Sequence, residues 1–145
     1  MGINANITYE TDSIEAFYKE NRIAWDDFYP SEKVMFEKLD LNPQSSILDI
    51  GCGCGGLGNA LGERFNIKNY VGIDINKKAI HTAKKLFPEF TFLAGDILDF
   101  ENIMPRENNF DVVVSLSCID WNVEFDKMLY TLSLHDALPI IGRAS

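Results

Sequence analysis

Apolar and polar positions change their period along this chain, and the changes mark its elements. In residues 12–29, Ile14, Phe17, Tyr18, Trp25 and Phe28 fall roughly on one helical face, which predicts a helix. Asp12 stands where an N-cap would, Glu15 follows as in a capping box, and Pro30 closes the stretch. A second helix is predicted after Ser31, with Met35 and Leu39 on one side, and LNPQSS then reads as a turn. From Ser46 the pattern alternates. SILDI, NYVGIDI, FTFLAGDIL and FDVVVSLSCI are short apolar runs, as strands covered on both faces are. After the first, Leu57, Leu61 and Phe65 make a helical stripe. After the second, Asn76 can cap a helix whose inner face is Ala79, Ile80, Ala83 and Phe87, with Pro88 just past its end. DFENIMPRENN carries no long helix, and VEFDKML begins another after the fourth strand.

Strands alternating with helices imply βαβ units and a parallel sheet, and right-handed crossovers put helices on both of its faces. The expected fold class is α/β, a Rossmann-like, doubly wound, mainly parallel sheet. Residues 1–44 form an N-terminal helical extension or lid, and residues 45–129 the Rossmann-like domain.

In such sheets ligands bind at the carboxyl ends of the strands, near the topological switch point. ILDIGCGCGGLG is the first of those ends. Gly51, Gly53 and Gly56 satisfy the dinucleotide pattern G-x-G-x-x-G, while Asp49, Gly51, Gly53 and Gly55 equally satisfy the acid-x-G-x-G-x-G pattern of methyl-donor sites. The glycines allow close backbone approach in either case. Asp74, ending the second strand, can accept the ribose hydroxyls of either cofactor, or cap the helix that follows.

Three features break the tie. Asp49 is a carboxylate inside a buried strand, which is costly unless paired; a dinucleotide site has no use for it, whereas a donor bearing an ammonium and a sulfonium does. Asp96, in AGDILDF, stands where it can accept a hydrogen bond from an adenine amino group, and Ile97 could pack on the ring. Two helices precede the first strand, whereas dinucleotide domains often begin close to theirs.

Taken in order, ILDIGCGCGGLG, VGIDIN, AGDILDF and FDVVVSLSCI resemble the successive motifs of class I S-adenosylmethionine-dependent methyltransferases, over roughly residues 45–130. The resemblance implies a sheet ordered 3-2-1-4-5-7-6, of which this chain supplies about four strands, 3-2-1-4, so the fold is expected to be incomplete. It implies that Asp49 and the turn of Gly51, Cys52, Gly53 and Gly55 hold the methionine end. Asp74, with Ile75 beside it, would hold the ribose, and Asp96 with Ile97 the adenine. Residues 115–118, Ser115 and Ser117 among them, would lie beneath the sulfonium and the acceptor. Tyr18 and Trp25 become candidate lid residues, or core aromatics of their helix. The implied activity is methyl transfer from S-adenosyl-L-methionine to an unidentified small-molecule acceptor. A nicotinamide-dependent oxidoreductase fragment and a non-catalytic nucleotide-binding domain are the alternatives. No residue is assigned as a general base; Asp120 and Glu124 follow the fourth strand and read as solvated residues at a helix start.

Composition narrows the partners. The 145 residues suffice for one domain with a core, 46% are apolar and 24% charged. No run reaches the ~18 apolar residues of a membrane span, and MGINANITYE lacks the features of a secretory signal, so a cytoplasmic location is expected. A net charge of −9 argues against a nucleic-acid substrate. Lys77, Lys78, Lys84 and Lys85 read as the solvated face of a helix. Cys52, Cys54 and Cys118 lack the second pair that a zinc site needs and are expected to be reduced; no metal is expected.

The last residues, TLSLHDALPIIGRAS, break the pattern. Residues 131–140 resemble the translation of a widely used short-read sequencing adapter, and residues 130–145 are set apart as a non-native tail. FDVVVSLSCI would then be an exposed apolar edge, prone to self-association and poor solubility.

Overall fold

The computed structural model describes residues 22–99, 110–116 and the strand at 138–142. Of the predicted helix over 12–29, residues 12–21 lie outside the described residues; within 22–29 the chain forms a 3-10 turn at Trp25–Asp27. Its chain is bent locally because the Asp27 carboxylate accepts the amides of Ile23 (3.1 Å) and Ala24 (2.9 Å), side-chain bonds that compete with a helical ladder. Pro30 opens an α-helix, α1 (Pro30–Glu37), the first among the described residues, rather than closing the stretch before it. A proline suits that position, where its missing N–H would have no partner. Glu32 accepts the Tyr29 amide at 2.8 Å, completing the start of the helix.

Strand β1 (Ser46–Ile50) is followed by α2 (Gly56–Phe65), β2 (Asn69–Asp74), α3 (Lys77–Leu86), β3 (Thr91–Ala94) and β4 (Val112–Leu116). All pairings are parallel. β1 is central, with Ser46 to Ile50 opposite Asn69 to Ile73 on one side and Ile47 to Asp49 opposite Val112 to Val114 on the other. The alternation of side chains sorts the core into two layers. Ile47, Tyr70, Phe92, Val112 and Val114 pack with Leu57, Ala60 and Leu61 of α2, Ile80 and Ala83 of α3, and Phe36 of α1. Leu48, Ile50, Ile73 and Val113 pack on the other side with Ile97 and Phe110. Right-handed crossovers explain the division: β1 to β2 to β3 steps one way across the sheet, and β3 to β4 returns the other way.

The third strand ends at Ala94, short of the expected FTFLAGDIL. Asp96 there accepts the Leu98 amide at 2.9 Å and starts a 3-10 turn, Ile97–Asp99. The four expected strands stand in the expected order 3-2-1-4, and a fifth strand, β5 (Leu138–Gly142), extends it to 3-2-1-4-5. β5 runs parallel to β4 from Val112 opposite Leu138 to Leu116 opposite Gly142, which removes β4 from the edge where sequence reasoning left it. The strand falls within the segment set apart as a tail. Parallel pairing asks for backbone groups and a chain that tolerates extension; LPIIG offers both, and an edge strand is where Pro139 is admissible. The helix expected at VEFDKML, and Cys118, lie outside the described residues. Among the described residues no helix is long and apolar enough to cross a membrane.

Candidate functional site

The turn after β1 has Gly51, Gly53 and Gly55 at φ of +76°, +56° and +85°, a region that side chains rarely enter. Neighbouring elements hold it. The amides of Gly51 and Cys52 both donate to the Ile73 carbonyl (2.7 and 3.1 Å), and the Gly55 amide donates to the Cys52 carbonyl (3.0 Å). The Gly53 amide donates to Asp74 Oδ2 at 2.8 Å. β1 and β2 therefore end in one hydrogen-bonded unit.

Two further glycines are fixed by close approach. A Cβ on Gly56 would stand 1.6 Å from the Arg22 carbonyl oxygen, and one on Gly58 would stand 2.8 Å from the Tyr70 ring. The first contact seats the segment before α1 on the start of α2, where Asn59 also donates to the Ile23 carbonyl at 2.9 Å. Trp25 meets Phe65 edge-on at 5.3 Å and Phe36 at 6.4 Å. It anchors this segment to the core, which is the second of the two roles considered for it.

Asp49 is 3% exposed. The Tyr70 hydroxyl donates to its Oδ2. Burial pushes the Asp49 carboxyl up to about 7; the Tyr70 hydrogen bond lowers it, the Asp74 charge raises it, and the Arg22 guanidinium lowers it. Tyr70 is pushed well above the usual phenol range by burial and by Asp49, so it keeps its proton and donates. The Cys52 thiol is likewise raised, by burial and then by Asp49 and Asp74, and stays protonated. Cys52 and Cys54 are buried and form no disulfide among the described residues. Among the described residues no group of three His, Cys, Asp or Glu could hold a metal ion.

Asp74 is partly exposed. Its Oδ1 accepts the Asn76 amide at 2.8 Å, opposite the Gly53 bond on Oδ2. Burial raises its pKa, and the two backbone bonds oppose the rise. Asp74 does not cap α3: Asn76 does, accepting the amides of Lys78 (3.0 Å) and Ala79 (3.1 Å). Ile75 is half-buried beside it.

The other sequence-predicted residues lie on the neighbouring strand ends; Gly95, just before Asp96, donates its amide to the Asp74 carbonyl at 2.9 Å. Asp96 is half-buried and starts the 3-10 turn. Ile97 is 4% exposed and belongs to the core layer of Leu48 and Ile50. Ser115, 1% exposed, follows Val113 and Val114 on β4, and the pleat puts it on the face opposite Asp49. Its hydroxyl has no hydrogen-bond partner among the described residues. Tyr18, Ser117, Asp120 and Glu124 lie outside the described residues.

Sequence reasoning missed Tyr70 and Arg22. A phenol in the run NYVGIDI was the available signal for Tyr70, since a buried hydroxyl requires a partner. Arg22 carries no comparable mark. Its guanidinium pairs with both oxygens of buried Glu32 (3.0 and 3.1 Å) and lies 4.6 Å from the centre of the Phe28 ring.

A protein family described as a methyltransferase domain matches residues 41–137. An 18S rRNA (guanine-N(7))-methyltransferase of Schizosaccharomyces pombe is 37% identical over 100 residues, covering 67% of this chain and 35% of the yeast protein. A phosphoethanolamine N-methyltransferase of Plasmodium falciparum is 32% identical over 108 residues, 72% of this chain and 39% of that one. The solved structure of the plantazolicin methyltransferase BpumL, in complex with a pentazolic desmethylPZN analog and SAH, superposes with a TM-score of 0.56. It is 30% identical and covers 63% of this chain and 34% of BpumL. The chain spans less than half the length of the curated relatives it matches.

Proposed function

The chain belongs to the methyltransferase-domain family, and from that premise we propose that it is the cofactor-binding part of an S-adenosylmethionine-dependent methyltransferase acting on a small molecule. One observation carries the reading: a buried carboxylate, Asp49, beside a left-handed glycine turn that is tied to a second carboxylate, Asp74. The donor set fits such a cofactor, since a ligand with an ammonium supplies the positive charge that a buried acid lacks.

Asp49 holds the ammonium, and the turn of Gly51, Cys52, Gly53 and Gly55 lets the backbone close on the methionine end. Asp74 accepts the ribose hydroxyls with the lone pairs its two amide bonds leave over. Ile75 flanks the adenine, with Asp96 facing its amino group and Ile97 behind it; Ser115 and Ser117 line the acceptor side. The chemistry supplied on binding is a methyl carried on a sulfonium, already activated for transfer, so the chain's main task is to position donor and acceptor. A general base is needed only where the acceptor must lose a proton.

Relatives that act on RNA and on phosphoethanolamine leave the acceptor class to experiment. The acidic chain, at −9, favours a small molecule over a phosphate backbone. Calorimetry with S-adenosylhomocysteine and with NADH is the first test; binding of NADH in preference would sink the reading. Transfer of labelled methyl to RNA, with none to small amines, hydroxyls or thiols, would sink the small-molecule assignment. The full-length protein should be used for that second assay.

A further inference from the structure

We propose that Tyr70 is a positioning residue of this site: its hydroxyl fixes the buried Asp49 carboxylate and favours its ionised form for a cationic ligand group. The proposal rests on the reading of Asp49 as the partner of the ligand ammonium.

The geometry is specific to a tyrosine at this register. Asp49 stands directly opposite Gly72 on β2, and Tyr70 lies two residues earlier on the same face. Gly72 puts no side chain between them, and Cys52 and Phe92 pack close over it: a Cβ there would come within 2.7 Å of Cys52 Sγ and 2.9 Å of the Phe92 ring. The phenol of Tyr70 can therefore reach diagonally to Asp49 Oδ2, a span within reach of an aromatic side chain. The ring is clamped along the way. Gly58 of α2 lies against it, and Phe90 and Phe92 stand 5.2 and 6.0 Å from its centre. At 2% exposure, Tyr70 has no solvent to turn to.

Packing alone does not account for the hydroxyl. A phenylalanine would fill the same space without bringing a polar atom into the core. What the hydroxyl adds is a donor to a carboxylate, which favours the ionised form. The other groups bearing on Asp49 are Asp74 on β2, which opposes ionisation, and Arg22 of the preceding segment, which favours it. Cys52, in the turn, stays a neutral thiol. Tyr70 is the one group that favours the charge by direct hydrogen bonding among these.

The test compares Tyr70→Phe with wild type, using two ligands. S-Adenosylhomocysteine carries the amino-acid end; 5′-methylthioadenosine lacks it. Affinities are measured by calorimetry between pH 6 and 8.5, with a thermal melt of each unliganded protein. Tyr70→Phe should weaken S-adenosylhomocysteine about tenfold near neutral pH, the scale of a hydrogen bond to a charged group. The pH midpoint of its binding should move upward, because Asp49 then ionises later. Methylthioadenosine should bind as before. In an Asp49→Asn background the same change should add no further loss, and that pair of variants also serves if Tyr70→Phe alone folds poorly. Equal losses for both ligands, or an unmoved pH midpoint, would overturn the proposal. Wild type that binds neither ligand overturns the methyl-donor reading and this proposal together, whereas wild type that binds both, with Tyr70→Phe indistinguishable from it, overturns the role of Tyr70 alone.

Discussion

Near the end of β1, Asp49 is 3% exposed and takes its hydrogen bond from a phenol; at the end of β2, Asp74 is partly exposed and takes two from backbone amides. Backbone donors are fixed by the fold itself and cannot be lost without moving the chain. A side-chain donor can be lost by one substitution, and a buried carboxylate is neutralised more readily than an exposed one. The same residue type thus has backbone-fixed donors at one end of the site and a conditional charge at the other. The condition is met when a cation arrives, which ties the charge of Asp49 to ligand binding.

The largest expected effect is on pH dependence. The Asp49 carboxyl is raised to about 7 in the folded chain, against about 3.9 when unfolded. A group that holds its proton more tightly when folded contributes stability below the unfolded value. That contribution is lost as pH rises toward the folded value. At about 1.4 kcal/mol per unit, wild type should lose about 4 kcal/mol relative to Asp49→Asn between pH 4 and 7, with a plateau above. Urea midpoints of both proteins across that range are the measurement. A difference that stays flat with pH would break the contrast, because Asp49 would then be ionised throughout that range.

Asp74→Ala comes next. It strips the acceptor from the amides of Gly53 and Asn76, and leaving such groups unpaired costs about 2 kcal/mol. It should weaken S-adenosylhomocysteine and methylthioadenosine alike, since the ribose is common to both. Asp49→Asn should weaken only the first. Calorimetry that finds both variants equally selective would show that the two ends are not separate.

These tests fall on residues of unequal legibility. β1 to β4 could be read because strands covered on both faces are apolar almost throughout, and Asp49 stood out as the exception within one of them. Asp74 could be placed at a strand end but not told from a helix cap; only the Asn76 bonds decided that. Tyr70 offered only a phenol in an apolar run, which does not name its partner. Tyrosine is ordinary in strands, and its role depends on the register that sets Asp49 opposite Gly72. The described end of the helix predicted over 12–29 turns 3-10 for a local reason, the Asp27 carboxylate capturing two amides. Ile97 obeyed its apolar character by joining the core, which no motif could foretell. β5 was lost by treating a broken pattern as no structure, although an open sheet edge recruits any chain that can extend.

Gly58→Ala tests the mechanical side of the contrast. The new Cβ would press on the Tyr70 ring at 2.8 Å, and overpacking of this kind costs about 1–3 kcal/mol. The shift should reach Asp49 through Tyr70 and leave Asp74 on its amides. Loss of S-adenosylhomocysteine affinity with methylthioadenosine unchanged is the expected result, and equal loss of both would place the disturbance in the turn instead.

The smallest effect concerns a third polar group, on β4. Ser115 is 1% exposed and its hydroxyl has no hydrogen-bond partner among the described residues, whereas both carboxylates are satisfied. A buried hydroxyl without a partner is unfavourable, so Ser115→Ala should stabilise the unliganded chain by about 1 kcal/mol. The sign separates two accounts of the residue. If Ser115 serves a ligand on the acceptor side, the gain in the free protein is accompanied by a loss of S-adenosylhomocysteine or acceptor affinity. If it is only a small residue under its neighbours, stability rises and binding does not move. A drop in the melting temperature of the free protein would mean that the hydroxyl has a partner within the chain, and Ser115 would then join Asp49 as a group held from inside the fold.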